Sequence, residues 1–229
     1  MKNKKKVIAL VLAVALVVAA VGTTLAWLTS TNEIKNTFTV GTFTEPTTDP
    51  EDATKSLFDT NGDLKSGTLD GNLYEKSWNS DADHQLIPGV DFAKDPYVGI
   101  GPGSEDGVVY LYVENNLSNK VYFTINTGWE PVAGETTAGA VTGSYKGGLF
   151  KYTAGLTGSA TADSWTSEPL FSKVIVSADA NTADFTPATQ GENPTITVKS
   201  FIHQANDASG TPIDSATILT AAKEAFELA

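Results

Sequence analysis

Two histidines, His84 and His203, are the only imidazoles that could bind a metal or act as a general base. A zinc peptidase needs three converging ligands and a base, commonly supplied by His-Glu-x-x-His on one helix. His84 follows two aspartates in a polar segment, whereas His203 stands in a strand-like run on the side opposite to Ile202. The pattern favours a solvated His84 and a sheet-surface His203 over a shared metal site.

Other catalytic groups are equally sparse. The chain has no cysteine, which excludes a thiol nucleophile, a thiolate metal site and disulfides. No Gly-x-Ser-x-Gly nucleophile elbow is present. Carboxylates are abundant, but they stand in polar segments where a solvated surface is expected. The sequence therefore predicts no enzyme and no cofactor.

A calcium-loop-like spacing occurs at Asp59, Asn61, Asp63 and Asp70, which mimic positions 1, 3, 5 and 12 of such a loop. The turn glycine, Gly62, comes earlier than such a loop requires, and the last position is Asp instead of the bidentate Glu. Two interpretations stay open, a calcium site and an Asx-rich surface turn. The departures favour the turn.

Three tryptophans, Trp78, Trp129 and Trp165, could line a carbohydrate-binding face. Large aromatic side chains more often pack in or near a core. We favour packing for all three.

The charge balance excludes one class of partner. Four of the 15 lysines lie within residues 1–26, so the chain after them carries 11 Lys against 27 acidic residues, a formal charge of −16, and it has no Arg. Affinity for nucleic acid comes mainly from cationic side chains on phosphates. Nucleic-acid binding is therefore excluded, and binding to anionic lipid is disfavoured for the same reason.

The N-terminus has the pattern of an export signal. Lysines within residues 2–6 precede the apolar run Val7–Val21, and small residues lead to a cleavage site between Ala26 and Trp27. The run of 15 residues spans about 22 Å as a helix, less than the roughly 30 Å of a bilayer core. We predict a signal peptide over residues 1–26; the alternative is an uncleaved anchor that extends through Leu28.

The segment directly after this site, residues 28–40, is named the leading segment. It shows period-2 alternation, with Ile34, Asn36, Phe38 and Val40 on one side. We predict that it is the first strand of the mature protein and that Leu28, Ile34, Phe38 and Val40 belong to a subunit-joining strand.

The remaining chain predicts one all-β domain over residues 27–229, an antiparallel sandwich with long loops. Its predicted features are an acidic loop region over 44–83, a turn at Leu86–Val90, a central strand at Val108–Glu114, a hairpin loop at Asn115–Asn119, strands at Val121–Asn126, Ser172–Val176 and Thr195–Gln204, a Gly/Ala/Thr/Ser-rich insertion with one or two strands over 128–170, and a C-terminal helix over Ile218–Leu228 capped by Asp214 or Ser215.

Several of these features together resemble the TasA/camelysin family of exported proteins. They are the signal that ends at Thr24–Leu28, the run Asn36–Gly41, the Leu86–Gly89 turn and the strand that ends in Glu114–Asn116. The resemblance implies a jelly-roll-like sandwich, processing by a SipW-type signal peptidase, and a secreted role at the cell surface or in a biofilm matrix. It also implies fibres in which the N-terminal strand of one subunit completes the sheet of the next.

The sequence leaves three alternatives open. The leading segment could pair only within its own sheet, leaving a monomer. The protein could be a secreted surface module that binds glycan or calcium, or, following the family, a camelysin-like metallopeptidase. In each case we expect contact with the membrane only through the uncleaved signal.

Overall fold

The computed structural model describes residues 37–39, 43–78, 86–186 and 194–228. Fourteen strands, one 3-10 helix and one α-helix occur in these ranges. In chain order they are β1 (Thr37–Thr39), β2 (Thr48–Asp49), β3 (Asp52–Ser56), β4 (Thr68–Asp70), β5 (Leu73–Glu75), β6 (Asp91–Ala93), β7 (Pro96–Ile100), β8 (Gly107–Asn115), β9 (Val121–Tyr122), β10 (Trp129–Ala138), β11 (Tyr145–Tyr152), β12 (Ser164–Trp165), β13 (Lys173–Val176), the 3-10 helix (Thr182–Phe185), β14 (Ile196–Gln204) and α1 (Ser215–Ala225).

The largest sheet has five strands in the order β1-β14-β8-β11-β10, and we name it the main sheet. Its centre is β8, a run of β-branched and aromatic residues that suits a pleated surface covered on both sides. β14 pairs with β8 antiparallel along its whole length, from Ile196 opposite Asn115 to Gln204 opposite Gly107. The strands predicted at 108–114 and 195–204 are therefore confirmed.

A second layer packs against the main sheet. It contains a four-stranded sheet, β12-β7-β5-β4, and a three-stranded sheet, β6-β13-β9, while β2 and β3 form a separate hairpin. The core between the layers includes Leu73 and Val98 from the four-stranded sheet, Val174 from the three-stranded sheet, and Val109 and Leu111 from the main sheet. The predicted all-β sandwich is confirmed.

The outer face of the main sheet is covered by α1. Asp214 caps this helix by accepting hydrogen bonds from the Ala216 and Thr217 backbone N–H groups. Its apolar side chains, together with Phe226 just beyond it, pack on sheet residues that alternate with the inner set; this outer cluster comprises Tyr110, Leu149, Phe201, Ile218, Ala222 and Phe226. The predicted C-terminal helix and its apolar face are confirmed.

Three local predictions differ from the structure. Residues 44–83 were expected to be loops, but β2 to β5 lie there. Residues 128–170 contribute three strands, and two of them, β10 and β11, belong to the main sheet instead of to an insertion. Residues 115–119 do not close a hairpin, because β9 pairs with β13 in the second layer. The loop crosses between layers and buries Leu117 in the core.

The turn at Leu86–Val90 has the predicted geometry. The Val90 N–H donates to the Ile87 carbonyl at 3.0 Å. Gly89 has a φ of 78°, which suits the second corner of a type II turn after Pro88.

Among the described residues, no helix has the length and apolarity needed to cross a membrane.

Candidate assembly edge

The two sides of β14 have different partners. β8 covers one side over nine residues. On the other side β1 runs parallel to β14 and pairs only at Thr37–Phe201, Phe38–Ile202 and Thr39–His203. Within the described residues, strand pairing on this side stops at Phe201. We name this side of β14, from Ile196 to Gln204, the β14 edge.

The chain is held firmly just after β1. The Thr44 N–H donates to Ser104 Oγ at 2.9 Å, and the Thr44 carbonyl accepts from the Gly101 N–H at 2.8 Å and from Asn72 Nδ2 at 3.0 Å. Phe43 packs against the core. Only residues 40–42 separate this anchor from β1.

A second clamp follows at Asp163. Its Oδ2 accepts from the backbone N–H of Thr47 at 2.7 Å, the backbone N–H of Thr48 at 2.6 Å and the Thr48 hydroxyl at 2.7 Å. One carboxylate oxygen thus ties the chain at two successive residues to the β11–β12 connection. The chain after β1 is therefore fixed at Thr44 and again at Thr47 and Thr48.

The opposite edge of the main sheet, β10, is built differently. It carries Pro131, which cannot donate a ladder hydrogen bond, and the acidic residues Glu130 and Glu135. Its register with β11 shifts between Pro131 and Thr136, and Gly134 has a φ of 81°. Proline, bulges and edge charges all discourage another strand from adding to an edge.

The β14 edge lacks these features. From Ile196 to Gln204 the strand contains no proline, glycine or acidic residue. Val198 and Ile202 are buried in the inner core. Lys199, the one lysine, is paired with Glu114 on β8 at 3.0 Å. The edge strands of the main sheet are β1 and β10. β1 covers the β14 edge only at residues 201–203 within the described residues, and the β14 edge carries none of the features by which β10 discourages another strand.

His203 lies beside this edge and has local partners. Its ring is half-buried, Nδ1 is 2.8 Å from the Gln204 carbonyl oxygen, and the ring centroid is 6.1 Å from that of Phe201. His84 lies outside the described residues. Among the residues that are described, no group of three His, Asp or Glu side chains could hold a metal ion.

The Asp59 loop has the form of an Asx turn. Asp59 Oδ1 accepts from the backbone N–H groups of Asn61 at 2.8 Å and Asp63 at 3.0 Å, and Gly62 has a φ of 90°. Hydrogen bonds from the Asp63 and Asn61 N–H groups hold the pKa of Asp59 below its usual range. The carboxylate is thus engaged by its own loop, and Asp70 belongs to β4.

The three tryptophans each have a packing partner. Trp129 is buried, and its Nε1 donates to the Glu168 carbonyl at 3.0 Å. Trp165 lies across Gly99, where an added Cβ would fall 2.3 Å from the ring. Trp78 packs below Lys94, whose Nζ is 4.2 Å from the ring centroid.

The chemistry-bearing feature that sequence reasoning missed is a buried ion pair. Lys94 Nζ lies 2.7 Å from Glu75 Oε2, and the two side chains are 5% and 2% exposed. Lysine and glutamate are almost never fully buried. The sequence alone therefore gives no reason to place either residue in the interior. Beside it, burial raises the pKa of Asp95, which accepts hydrogen bonds from Ser77.

The predicted site residues divide into two groups. Phe38 lies in β1, in register with the buried Ile202. Ala26, Trp27, Leu28, Ile34 and Val40 lie outside the described residues. No family model, no curated protein and no solved structure matches the chain. The resemblance to the TasA/camelysin family stays a prediction.

Proposed function

We propose that this chain is an exported structural subunit of the cell surface or extracellular matrix, and that it assembles into fibres by strand exchange. The leading segment of one subunit would occupy the β14 edge of the next. The observation that carries the proposal is that β1, from the segment directly after the predicted export signal, pairs with this edge, while the β10 edge is blunted.

Strand addition satisfies the physical needs of such an edge. An open edge presents unpaired N–H and C=O groups, and an extended segment satisfies them by β-augmentation. A contact between the leading segment of one copy and the β14 edge of another joins two different surfaces. Such a head-to-tail contact does not close on itself, so it propagates as a filament.

The register of β1 indicates which residues of a donated segment would lie opposite which residues of β14. Phe38 is opposite Ile202. Continuing this parallel register in a donor would set Ile34 opposite Val198 and Asn36 opposite Ser200. The alternating residues of the leading segment would then match the buried residues of β14, with one polar pair between two apolar pairs.

Export would control the timing of assembly. The predicted cleavage bond, Ala26–Trp27, immediately precedes the leading segment. Before cleavage by the signal peptidase, the signal would hold that segment at the membrane. Mass spectrometry of the secreted protein should give an N-terminus at Trp27, and negative-stain microscopy of the same sample should show filaments.

Engineered cysteines test the exchange directly, because the chain has none of its own. Neighbouring strands lie about 4.7–4.9 Å apart, within the range that a disulfide spans. Thr39→Cys and His203→Cys, prepared separately and mixed under oxidation, can form a mixed disulfide only between subunits. We expect heterodimers in this mixture. As a matched control, Thr39→Cys mixed with Glu130→Cys on the blunted edge should give none.

The double variant with both substitutions, Thr39→Cys and His203→Cys, distinguishes a β1 that pairs within its own subunit from a β1 that is donated to the next subunit. If the strand is donated, an intrachain disulfide formed in the monomer blocks filaments, and reductant restores them. Absence of mixed disulfides, together with filaments that are indifferent to reductant, would show that β1 stays at home and that the proposal is wrong.

A further inference from the structure

The Lys94–Glu75 pair is unlike the other ion pairs among the described residues. In each of the others, both side chains are at least 15% exposed, whereas Lys94 and Glu75 are 5% and 2% exposed. Trp78 lies against the ammonium group at 4.2 Å. The amine and the carboxyl are therefore held together where water is excluded.

The carboxyl group is also incompletely satisfied. Oε2 contacts Lys94, but Oε1 is buried with no hydrogen-bond partner among the described residues. A buried charge is costly unless it is paired and its remaining lone pairs are satisfied. A neutral group at this position would avoid that cost.

We propose that Lys94 and Glu75 condense to form an isopeptide bond, a covalent cross-link within the domain. Nζ is 2.7 Å from Oε2, and the carboxyl carbon is one bond further. The amine can reach a near-attack separation of about 3–3.5 Å by side-chain torsion alone. Burial holds the two groups in this relation and removes the water that would hydrate them.

The reaction balances without any added reagent. Proton transfer within the pair gives a neutral amine and a neutral acid. The Nζ lone pair then attacks the Glu75 carboxyl carbon, the bond from that carbon to Oε2 breaks, and Oε2 leaves as water with two of the three ammonium protons. Oε1 remains as the amide carbonyl oxygen, and both formal charges disappear.

The cross-link would join two parts of the second layer. Glu75 ends β5 and pairs with Pro96 of β7, and Lys94 lies in the two-residue connection between β6 and β7. The Lys94 N–H also donates to the Ser172 carbonyl, next to β13. In a chain without cysteine, this bond would close a loop over residues 75–94, as a disulfide does elsewhere.

Intact-mass and peptide mass spectrometry of the purified secreted protein test the proposal. We expect a mass lower by one water than the sequence between the observed N-terminus and the C-terminus. We also expect a branched peptide that joins the segments around Glu75 and Lys94 after protease digestion. Lys94→Arg keeps the positive charge but cannot form the bond, and it should show the full sequence mass.

The control variant also removes the main source of confusion. Succinimide formation at Asp70-Gly71 or Asp106-Gly107 would cost one water as well, but it would persist in Lys94→Arg and would yield no branched peptide. The wild-type protein at its full mass, both fresh and after prolonged storage, with Lys94 cleaved normally by trypsin, would overturn the proposal. The wild-type measurement decides the matter even if Lys94→Arg does not fold.

Discussion

Replacing Phe226 by alanine should weaken the packing of α1 on the main sheet. Phe226 is 6% exposed, and its ring centroid lies 5.6 Å from that of Tyr112 and 6.2 Å from that of Phe201. Truncation of a buried phenylalanine to alanine costs about 3–5 kcal/mol. We therefore expect a loss of about 3–5 kcal/mol in the free energy of unfolding.

Urea unfolding of the mature chain, followed by tryptophan fluorescence and far-UV circular dichroism, measures this loss. Leu219→Ala is the matched control, since Leu219 is on the same helix but only half-buried; its loss should be about 1 kcal/mol. The denaturant midpoint should fall while the slope stays constant. Equal losses in the two variants would contradict the assignment of Phe226 to the helix–sheet contact.

Three further outcomes are expected. Asp163→Ala removes the acceptor shared by the Thr47 and Thr48 backbone N–H groups and the Thr48 hydroxyl. The free energy of unfolding should fall by about 1–3 kcal/mol, and Asp163→Asn should recover part of this in the same urea assay. Burial raises the pKa of Asp95 despite the hydrogen bonds it accepts from Ser77. Because the folded state then holds the proton more tightly than the unfolded state, the free energy of unfolding should fall as pH rises from 3.8 through the raised pKa. Asp95→Asn should flatten this pH dependence in urea titrations across acidic pH. In calorimetric titration with calcium, the wild-type protein and Asp59→Ala should give the same heats, because the Asp59 carboxylate is occupied by its own turn. Saturable calcium binding that is lost in Asp59→Ala would contradict the Asx-turn interpretation.

The strands that the sequence predicted well are those whose own residues specify them. β8 is rich in β-branched and aromatic residues, and in β14 the core residues Val198 and Ile202 lie on one face. The C-terminal helix was predictable because Asp214 stands before a run with helical periodicity. In each case the local pattern and the final burial agree.

The strands that were missed depend on contacts with distant residues. β11 contains Gly147 and Gly148, which read as loop residues. A Cβ at Gly147 would fall 2.5 Å from the Val113 carbonyl oxygen, so glycine is required by the close approach of β8. β5 is only three residues long and ends in Glu75, which is buried against Lys94 from the connection between β6 and β7.

The candidate assembly edge was only partly predictable. The position of the leading segment after the export signal indicated a role in joining subunits, and period-2 alternation placed Phe38 in its apolar set. The parallel pairing with β14, its register at Ile202 and the blunting of β10 follow from long-range topology. No pattern within the leading segment encodes the strand that it meets.

The hairpin between β10 and β11 offers a convenient place for a reporter tag. Val141 in this loop is 51% exposed, and an added Cβ at Gly143 would meet no atom within 4 Å. β10 is three strands from β14 in the main sheet, a separation of about 14 Å. An epitope or fluorophore inserted there would leave the proposed joint untouched, so that the protein could be followed in living cultures without disturbing how its copies meet.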